Sequence, residues 1–132
     1  MENGYSQKLI ESYVKLANDT LNTVYNNFKA SDFRVASSLA YYAMFYSANA
    51  AILKVGVKPP KTHQGVLSLF SRYYVKTGKI DGKFSKYLKD ASDIRQISSY
   101  NVLAKISGKD AAIILNNAKE FVITVRKVIA YN

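Results

Sequence analysis

The sequence offers two side chains suited to binding an anion or transferring a proton. His63 is the single histidine in a chain of 132 residues, and it follows Lys61 and Thr62. Thr62 is a natural N-cap for a helix that begins at His63, and the backbone N–H groups at a helix start attract anions. Arg95 lies on a predicted helix, where its guanidinium could clamp a phosphate. The residue types therefore point to an anion site at His63, at Arg95, or at both.

Each of these residues also has a purely structural interpretation. His63 could pack against a tyrosine while Thr62 caps the helix. Arg95 could pair with Asp90, with Asp93 or with the C-terminus of a helix. The sequence leaves both pairs of alternatives open.

Positive charge is concentrated between residues 54 and 89. This range holds nine lysines and arginines against one aspartate, a net charge of +8 in a chain of net charge +10, and aromatic residues are interleaved with the cations. Such a surface is typical of phosphate or nucleic-acid binding, whereas a lysine-rich face that only confers solubility is the alternative. We predict nucleotide or RNA contacts by Arg95, His63, Lys61, Thr62, Tyr42, Lys58, Arg72 and Lys76.

The composition argues against several other kinds of site. The absence of cysteine removes disulfides, zinc fingers, iron–sulfur clusters and thiol nucleophiles, and one histidine is too few for a multi-histidine metal site. The six glycines are scattered and form no phosphate-binding loop. We therefore expect no metal and no cofactor.

The N-terminus carries an acid and no apolar run, so we expect no secretory signal and a cytoplasmic protein. Residues 35–53 contain no charge and reach the length of a membrane span, but serines, tyrosines and an asparagine are spread along them. A buried central helix is the prediction for this stretch, with no contact to a membrane.

Apolar residues recur at helical spacing almost throughout, which predicts an all-α protein. The helices are expected at about 5–28, 32–55, 63–77, 82–99 and 108–130, with Gly56 and Gly78 as stops. Ser31 or Asp32, Asp81 and the Ser107–Asp110 capping box are further expected starts. Short connections favour an antiparallel up-and-down four-helix bundle with an additional short helix, as one domain over residues 1–132.

Two apolar stripes are predicted to face the core. The stripe on the first helix consists of Leu9, Tyr13, Leu16, Thr20, Leu21, Val24 and Phe28. The stripe on the second consists of Val35, Leu39, Tyr42, Tyr46 and Leu53. Tyr41, Tyr42 and Tyr46 are expected in the core or an interface, or with one hydroxyl in a cleft near Arg95.

Three stretches resemble HEPN-domain proteins in order and spacing. They are residues 39–48, LAYYAMFYSA; the loop Lys61-Thr62-His63-Gln64-Gly65; and Arg95 followed by Tyr100. The resemblance covers residues 15–128 and implies a four- or five-helix bundle, often a homodimer, similar to the helical domain of kanamycin nucleotidyltransferase. Prokaryotic members are frequently paired with a separate minimal nucleotidyltransferase in toxin–antitoxin-like modules, and some members are metal-independent endoribonucleases.

The chain departs from the motif of those nucleases, an arginine followed after four to six residues by a histidine. Carried over to Arg95, the histidine would fall at Tyr100, Asn101 or Val102. A phenol with a pKa near ~10 does not transfer protons at neutral pH as an imidazole does. We therefore expect a binding module rather than an enzyme. The alternatives are an endoribonuclease that uses Arg95 with His63 or Tyr100, and a structural protein–protein interaction bundle.

Overall fold

Residues 4–130 are described in this computed structural model, and their regular structure is helical throughout. The helices are α1 (Gly4–Lys29), α2 (Phe33–Lys54), α3 (His63–Phe70), α4 (Lys83–Tyr100) and α5 (Gly108–Ala130). The second helix packs against each of the other four. These observations confirm the predicted all-α bundle.

Local sequence signals define most of the helix ends. Thr62 and Ser107 each accept a hydrogen bond from the backbone N–H three residues further on, at 3.0 Å in both cases. Asp81 accepts one from the N–H of Lys83 at 2.8 Å. Asp32 occupies the N-cap of α2, but its side chain makes no capping bond. The first three predicted caps are therefore confirmed, and Asp32 closes the turn through its backbone alone.

Two glycines end helical segments at the predicted positions. Gly56 follows α2 with φ +84°, and Gly78 follows the α3 segment with φ +79°. Residues with a side chain rarely adopt this left-handed backbone conformation, which explains why glycine follows both helical segments.

The inner face of α2 agrees with the prediction at Leu53, which is buried, and differs at the other four positions. Val35 is 41% exposed, and Leu39, Tyr42 and Tyr46 are only half-buried. The buried face consists of Ala36, Ala40, Tyr41, Ala43, Met44, Ala48, Ala50, Ala51 and Ile52. Alanines on this face let α1 and α5 approach closely, and the larger rings stand at its edges, where Tyr42 lies under Arg95 of α4 and Tyr46 stacks on Tyr13 of α1. On the first helix the predicted apolar stripe is confirmed except at the exposed Leu16, because Val24 is buried and the core packs against Leu9, Tyr13, Leu21 and Phe28.

The uncharged stretch at 35–53, which is long enough to span a membrane, lies within α2. Among residues 4–130, no helix combines the length and the apolar character needed to cross a membrane.

The segment predicted as one helix at 63–77 changes geometry along its length. A π-helical turn, Ser71–Val75, continues α3, and the N–H of Lys76 donates to the Ser71 carbonyl at 2.8 Å. The Ser71 and Ser85 hydroxyls hydrogen-bond at 2.6 Å, and the buried Tyr74 hydroxyl donates to the Ala51 carbonyl at 2.6 Å. These bonds fix α3 and its π-helical turn to both α4 and α2.

Arg34 fixes the C-terminal end of α4 against the start of α2. Its Nη1 donates to the Ala104 carbonyl and its Nη2 to the Asn101 carbonyl, both at 2.7 Å, and Nη2 also donates to the Ser98 carbonyl. These charge-assisted bonds satisfy carbonyls at a helix end that have no intrahelical partner. They therefore hold α4, and with it Arg95, in register with α2.

Candidate functional site

Arg95 lies over two tyrosine rings near the middle of α2. Its guanidinium carbon is 5.6 Å from the centroid of the Tyr41 ring and 5.8 Å from that of Tyr42. Both distances fall within the range of cation–π attraction. The Arg95 Nε atom is buried and has no hydrogen-bond partner among residues 4–130. The rings thus orient the guanidinium but leave hydrogen-bonding capacity unused.

The acidic residues that could have paired with Arg95 are engaged elsewhere. Asp90 binds Lys86 at 2.6 Å, and Asp93 binds Lys89 at 3.1 Å, each one helical turn apart along α4. In the described part of the chain Arg95 forms no salt bridge. The alternative in which Arg95 pairs with Asp90 or Asp93 is therefore wrong, and its positive charge is not neutralised by a carboxylate.

His63 belongs to the same cluster. Its Nδ1 contacts the Tyr41 hydroxyl, and its ring centroid is 5.3 Å from that of Tyr41 and 5.0 Å from that of Phe45. Both His63 and Arg95 therefore contact Tyr41 within one chain. The packing of His63 against a tyrosine beside a Thr62 cap is confirmed, and it brings the imidazole toward Arg95 at the same time.

The environment sets the protonation of this pair. Burial raises the pKa of Tyr41 to about 12, although a hydrogen bond with Ser92 and the charge of Arg95 oppose the rise. Burial, and then the positive charge of Arg95, lower the pKa of His63 below its ordinary value. The phenol is therefore protonated and the imidazole neutral near pH 7. The Tyr41 hydroxyl and Nδ1 of the neutral imidazole share one hydrogen bond, so one of the two ring nitrogens is already engaged.

We expect His63 to titrate below 6.5, its ordinary value. The unfolded chain then takes up this proton at higher pH than the folded chain, so stability should fall as pH drops through that range. The ring proton resonance of the single histidine gives its pKa directly, and urea midpoints at about pH 7 and about pH 5 give the stability change. His63→Asn should show a smaller loss between these values. A resonance that titrates above 6.5 would contradict the described environment.

The other predicted binding residues lie at different places. Tyr42 is under Arg95, and the exposed Lys58 and Lys61 lie on the connection that leads to His63. The Thr62 hydroxyl is occupied by its cap. Arg72 and Lys76 are exposed on and just after the π-helical turn, and Arg72 is about 13 Å along the helix axis from His63. They are not part of the Arg95 cluster.

Tyr100 does not join the cluster either. It is 82% exposed at the last position of α4, and five residues of helix turn it about 140° away from the face of Arg95. The two candidate proton-transfer groups are thus separated, because only His63 shares a contact with Arg95.

Salt bridges reduce the charge of the basic range at 54–89. Lys83 binds Glu120 at 2.7 Å, and Lys86 and Lys89 bind the aspartates already described. The cations of this range that form no salt bridge within residues 4–130 are Lys54, Lys58, Lys61, Arg72, Lys76 and Lys79. The basic surface, as we use the term below, consists of these six residues. It runs from the end of α2 to the turn after the π-helical segment.

A cavity of about 240 Å³ lies beside Tyr41 and His63, between α3 and α4. Its lining includes Gln64, which stands in the loop that carries the family resemblance, and Ser92 and Gln96, which the sequence analysis does not name. Two of these residues could have been found from their position in the sequence, since Gln64 directly follows His63 and Gln96 directly follows Arg95. The described residues contain no group of three or more metal-ligating side chains.

The sequence of this chain is similar to a known protein family and to several named proteins. The model of the HEPN domain family matches residues 10–128. A Methanocaldococcus jannaschii protein named "Putative toxin MJ0142" is 29% identical over 127 residues, which is 96% of this chain and 85% of that protein. An Archaeoglobus fulgidus protein named "UPF0332 protein" is 32% identical over 93% of this chain and 97% of its own length. A Thermotoga maritima protein of the same name is 28% identical over 93% and 92%.

Proposed function

Because this chain belongs to the HEPN domain family, we propose that it is a toxin-like HEPN module that binds nucleotide or RNA. The ligand contacts Arg95 and His63 above the tyrosines of α2, and the basic surface extends the contact. The module acts as a homodimer together with a nucleotidyltransferase partner. Relatives named as toxins support the toxin-like character.

The observation that carries this proposal is the environment of Arg95. A half-buried guanidinium with a buried Nε and no carboxylate partner in residues 4–130 lacks hydrogen bonds that a charged group normally makes. Leaving such a donor unsatisfied costs stability. A phosphate would accept two parallel hydrogen bonds from the guanidinium and balance its charge. A role in binding an anionic ligand explains this unpaired arginine better than a structural role in the fold does.

The protonation of His63 favours binding over cleavage. RNA cleavage through a 2′-hydroxyl needs a group that can accept a proton. The Nδ1 atom of His63 is already hydrogen-bonded to the Tyr41 hydroxyl, so Nε2 is the ring nitrogen left for a ligand. We propose the tautomer in which the Tyr41 hydroxyl donates to Nδ1 and Nε2 carries the proton, so that the imidazole offers a hydrogen bond to an anion rather than a free lone pair.

A metal-independent endoribonuclease is the second candidate function. The observation that favours it is the shared contact of His63 and Arg95 with Tyr41, which supplies an imidazole where the sequence motif lacks one. His63, rather than the distant Tyr100, would be the proton-transfer group in such an enzyme.

Exposed apolar residues support the proposed protein contacts. Tyr100, Val102 and Leu103 are 82%, 88% and 84% exposed at the end of α4 and in the loop that follows. Adjacent large apolar side chains in water are typical of protein interaction surfaces. Arg34 holds this loop in place, so the side chains are presented in a fixed arrangement.

The salt dependence of RNA binding tests the proposed function. Binding of a labelled single-stranded RNA to the wild-type protein should weaken as salt rises, because the cations release counterions from the phosphates. A plot of log affinity against log salt should have a slope of about −2 to −4, as expected for roughly three to six phosphate contacts. RNA binding that is absent at low salt would overturn the proposal and favour a protein–protein interaction bundle.

A further inference from the structure

The cavity between α3 and α4 combines apolar walls with polar groups at its edge. Leu67 and the buried Leu88 provide apolar walls, and Tyr41 and His63 close the side nearest Arg95. Its volume of about 240 Å³ is below the ~300 to 1,000 Å³ of sites for drug-sized ligands. A single planar ring system is the kind of group that such a space accommodates.

The rim of the cavity carries hydrogen-bonding groups with unused capacity. Gln64 and Gln96 line the cavity and are exposed, so their amides are accessible to a ligand. Asp93 adds a carboxylate whose Oδ2 pairs at 3.1 Å with Lys89, which also lines the cavity, while its Oδ1 has no partner within residues 4–130. An ionised carboxylate can only accept hydrogen bonds, whereas an amide donates and accepts.

We propose that this cavity binds a guanine base, with the phosphate of the same nucleotide at Arg95. Guanine is the common base that presents two adjacent N–H donors, N1–H and the 2-amino group, and a carboxylate accepts from both. Its O6 and N7 atoms are acceptors, which the glutamine amides satisfy. Tyr41 links the two halves of the site, because it lines the cavity and carries Arg95 over its ring.

This inference rests on the proposed function and adds selection between bases to it. The other bases fit the rim less well. Adenine presents an acceptor at N1 where guanine presents a donor, so it would set a lone pair against the Asp93 carboxylate. Uracil and cytosine lack the pair of adjacent N–H donors.

The test compares nucleotides that differ only at the proposed contacts. Isotope-labelled protein is titrated with GMP, IMP, AMP and ribose 5-phosphate, and dissociation constants are read from the shifts of backbone amides. GMP should bind about tenfold more tightly than AMP, the discrimination expected of one good pair of base contacts. IMP, which lacks the 2-amino group, should fall between them. The amides of Gln64, Ser92 and Gln96 should shift with GMP and not with ribose 5-phosphate.

A matched pair of variants on α4 assigns the effect to one side chain. Asp90 and Asp93 form equivalent salt bridges one turn along α4, but only Asp93 lines the cavity. Asp93→Asn should remove most of the preference for GMP over AMP, whereas Asp90→Asn should keep it. Equal affinities for GMP and AMP, or the same loss in both variants, would overturn the guanine site.

The ribose 5-phosphate arm separates this inference from the proposed function. If all the ligands bind alike and depend on Arg95, the guanine site is wrong and nucleotide binding stands. If none of them binds at millimolar concentration, the guanine site is wrong, and the RNA titration alone decides the proposed function.

Discussion

Replacing Arg95 with alanine should weaken binding of single-stranded RNA by about 10- to 100-fold, the value of one or two charge-assisted hydrogen bonds. The variant removes the guanidinium over Tyr41 and Tyr42, where Nε has no partner among the described residues. Fluorescence anisotropy with a labelled RNA gives both dissociation constants. Arg95→Lys should recover only part of the affinity, because an ammonium cannot offer two parallel bonds to a phosphate.

The matched control for this experiment is Arg126→Ala. Arg126 is an exposed arginine on α5 outside the Arg95 cluster, and it lines a different cavity, together with Lys54 at the end of α2. The two variants lose the same charge, so a general effect of net charge would weaken binding equally in both. Unchanged thermal melting of Arg95→Ala would show that the bundle remains folded. Equal affinity of Arg95→Ala and the wild type would contradict the proposed site.

Phe121→Ala should lower the free energy of unfolding by about 3 to 5 kcal/mol, the usual cost of truncating a buried phenylalanine. Phe121 is fully buried on α5, and its ring centroid is 5.1 Å from that of Phe70 and 6.1 Å from that of Phe84. It therefore joins three helices at one point. Such a loss is a large part of the ~5 to 15 kcal/mol that stabilises a typical domain. Urea unfolding followed by circular dichroism measures it.

Ile113→Ala is the control on the same helix. Ile113 is 51% exposed, so its truncation should cost about 0.5 kcal/mol or less, as is usual for surface positions. A loss for Phe121→Ala no greater than that for Ile113→Ala would show that α5 does not pack as described.

Helix boundaries were the most predictable part of this fold, because they depend on local chemistry. Thr62, Ser107 and Gly56 act through atoms within a few residues of themselves, and each stands at a helix end as predicted. The π-helical turn at Ser71–Val75 was not predicted, since its hydrogen-bond register has no distinct signature in the residues.

The orientation of α2 could not be read from its sequence. Apolar and small residues surround this helix on all sides, so no single stripe stands out as the inner face. The choice between the face of Val35 and Tyr42 and the face of Ala36 and Ala40 is made by close packing against α1 and α5. That packing is a tertiary effect, which periodicity alone does not contain.

The site was predictable in its components but not in its assembly. Arg95 and His63 stood out by residue type, yet they are 32 positions apart in the chain, and only the packing of α3 and α4 on α2 gives them a common contact in Tyr41. The pairs Lys86–Asp90 and Lys89–Asp93 follow from helical spacing, whereas Lys83–Glu120 joins two helices and does not. The cavity beside Tyr41 likewise exists only in the assembled bundle.

The central claim is that this protein binds RNA at the Arg95 site without cleaving it. The most direct test incubates the wild-type protein with end-labelled single-stranded RNA in the presence of a chelator, and reads the bound fraction and the RNA length in the same samples. We predict a bound fraction that rises with protein concentration and RNA that stays at full length. Cleaved RNA in chelator would contradict the binding-module account, and its loss in His63→Ala would assign the metal-independent endoribonuclease instead.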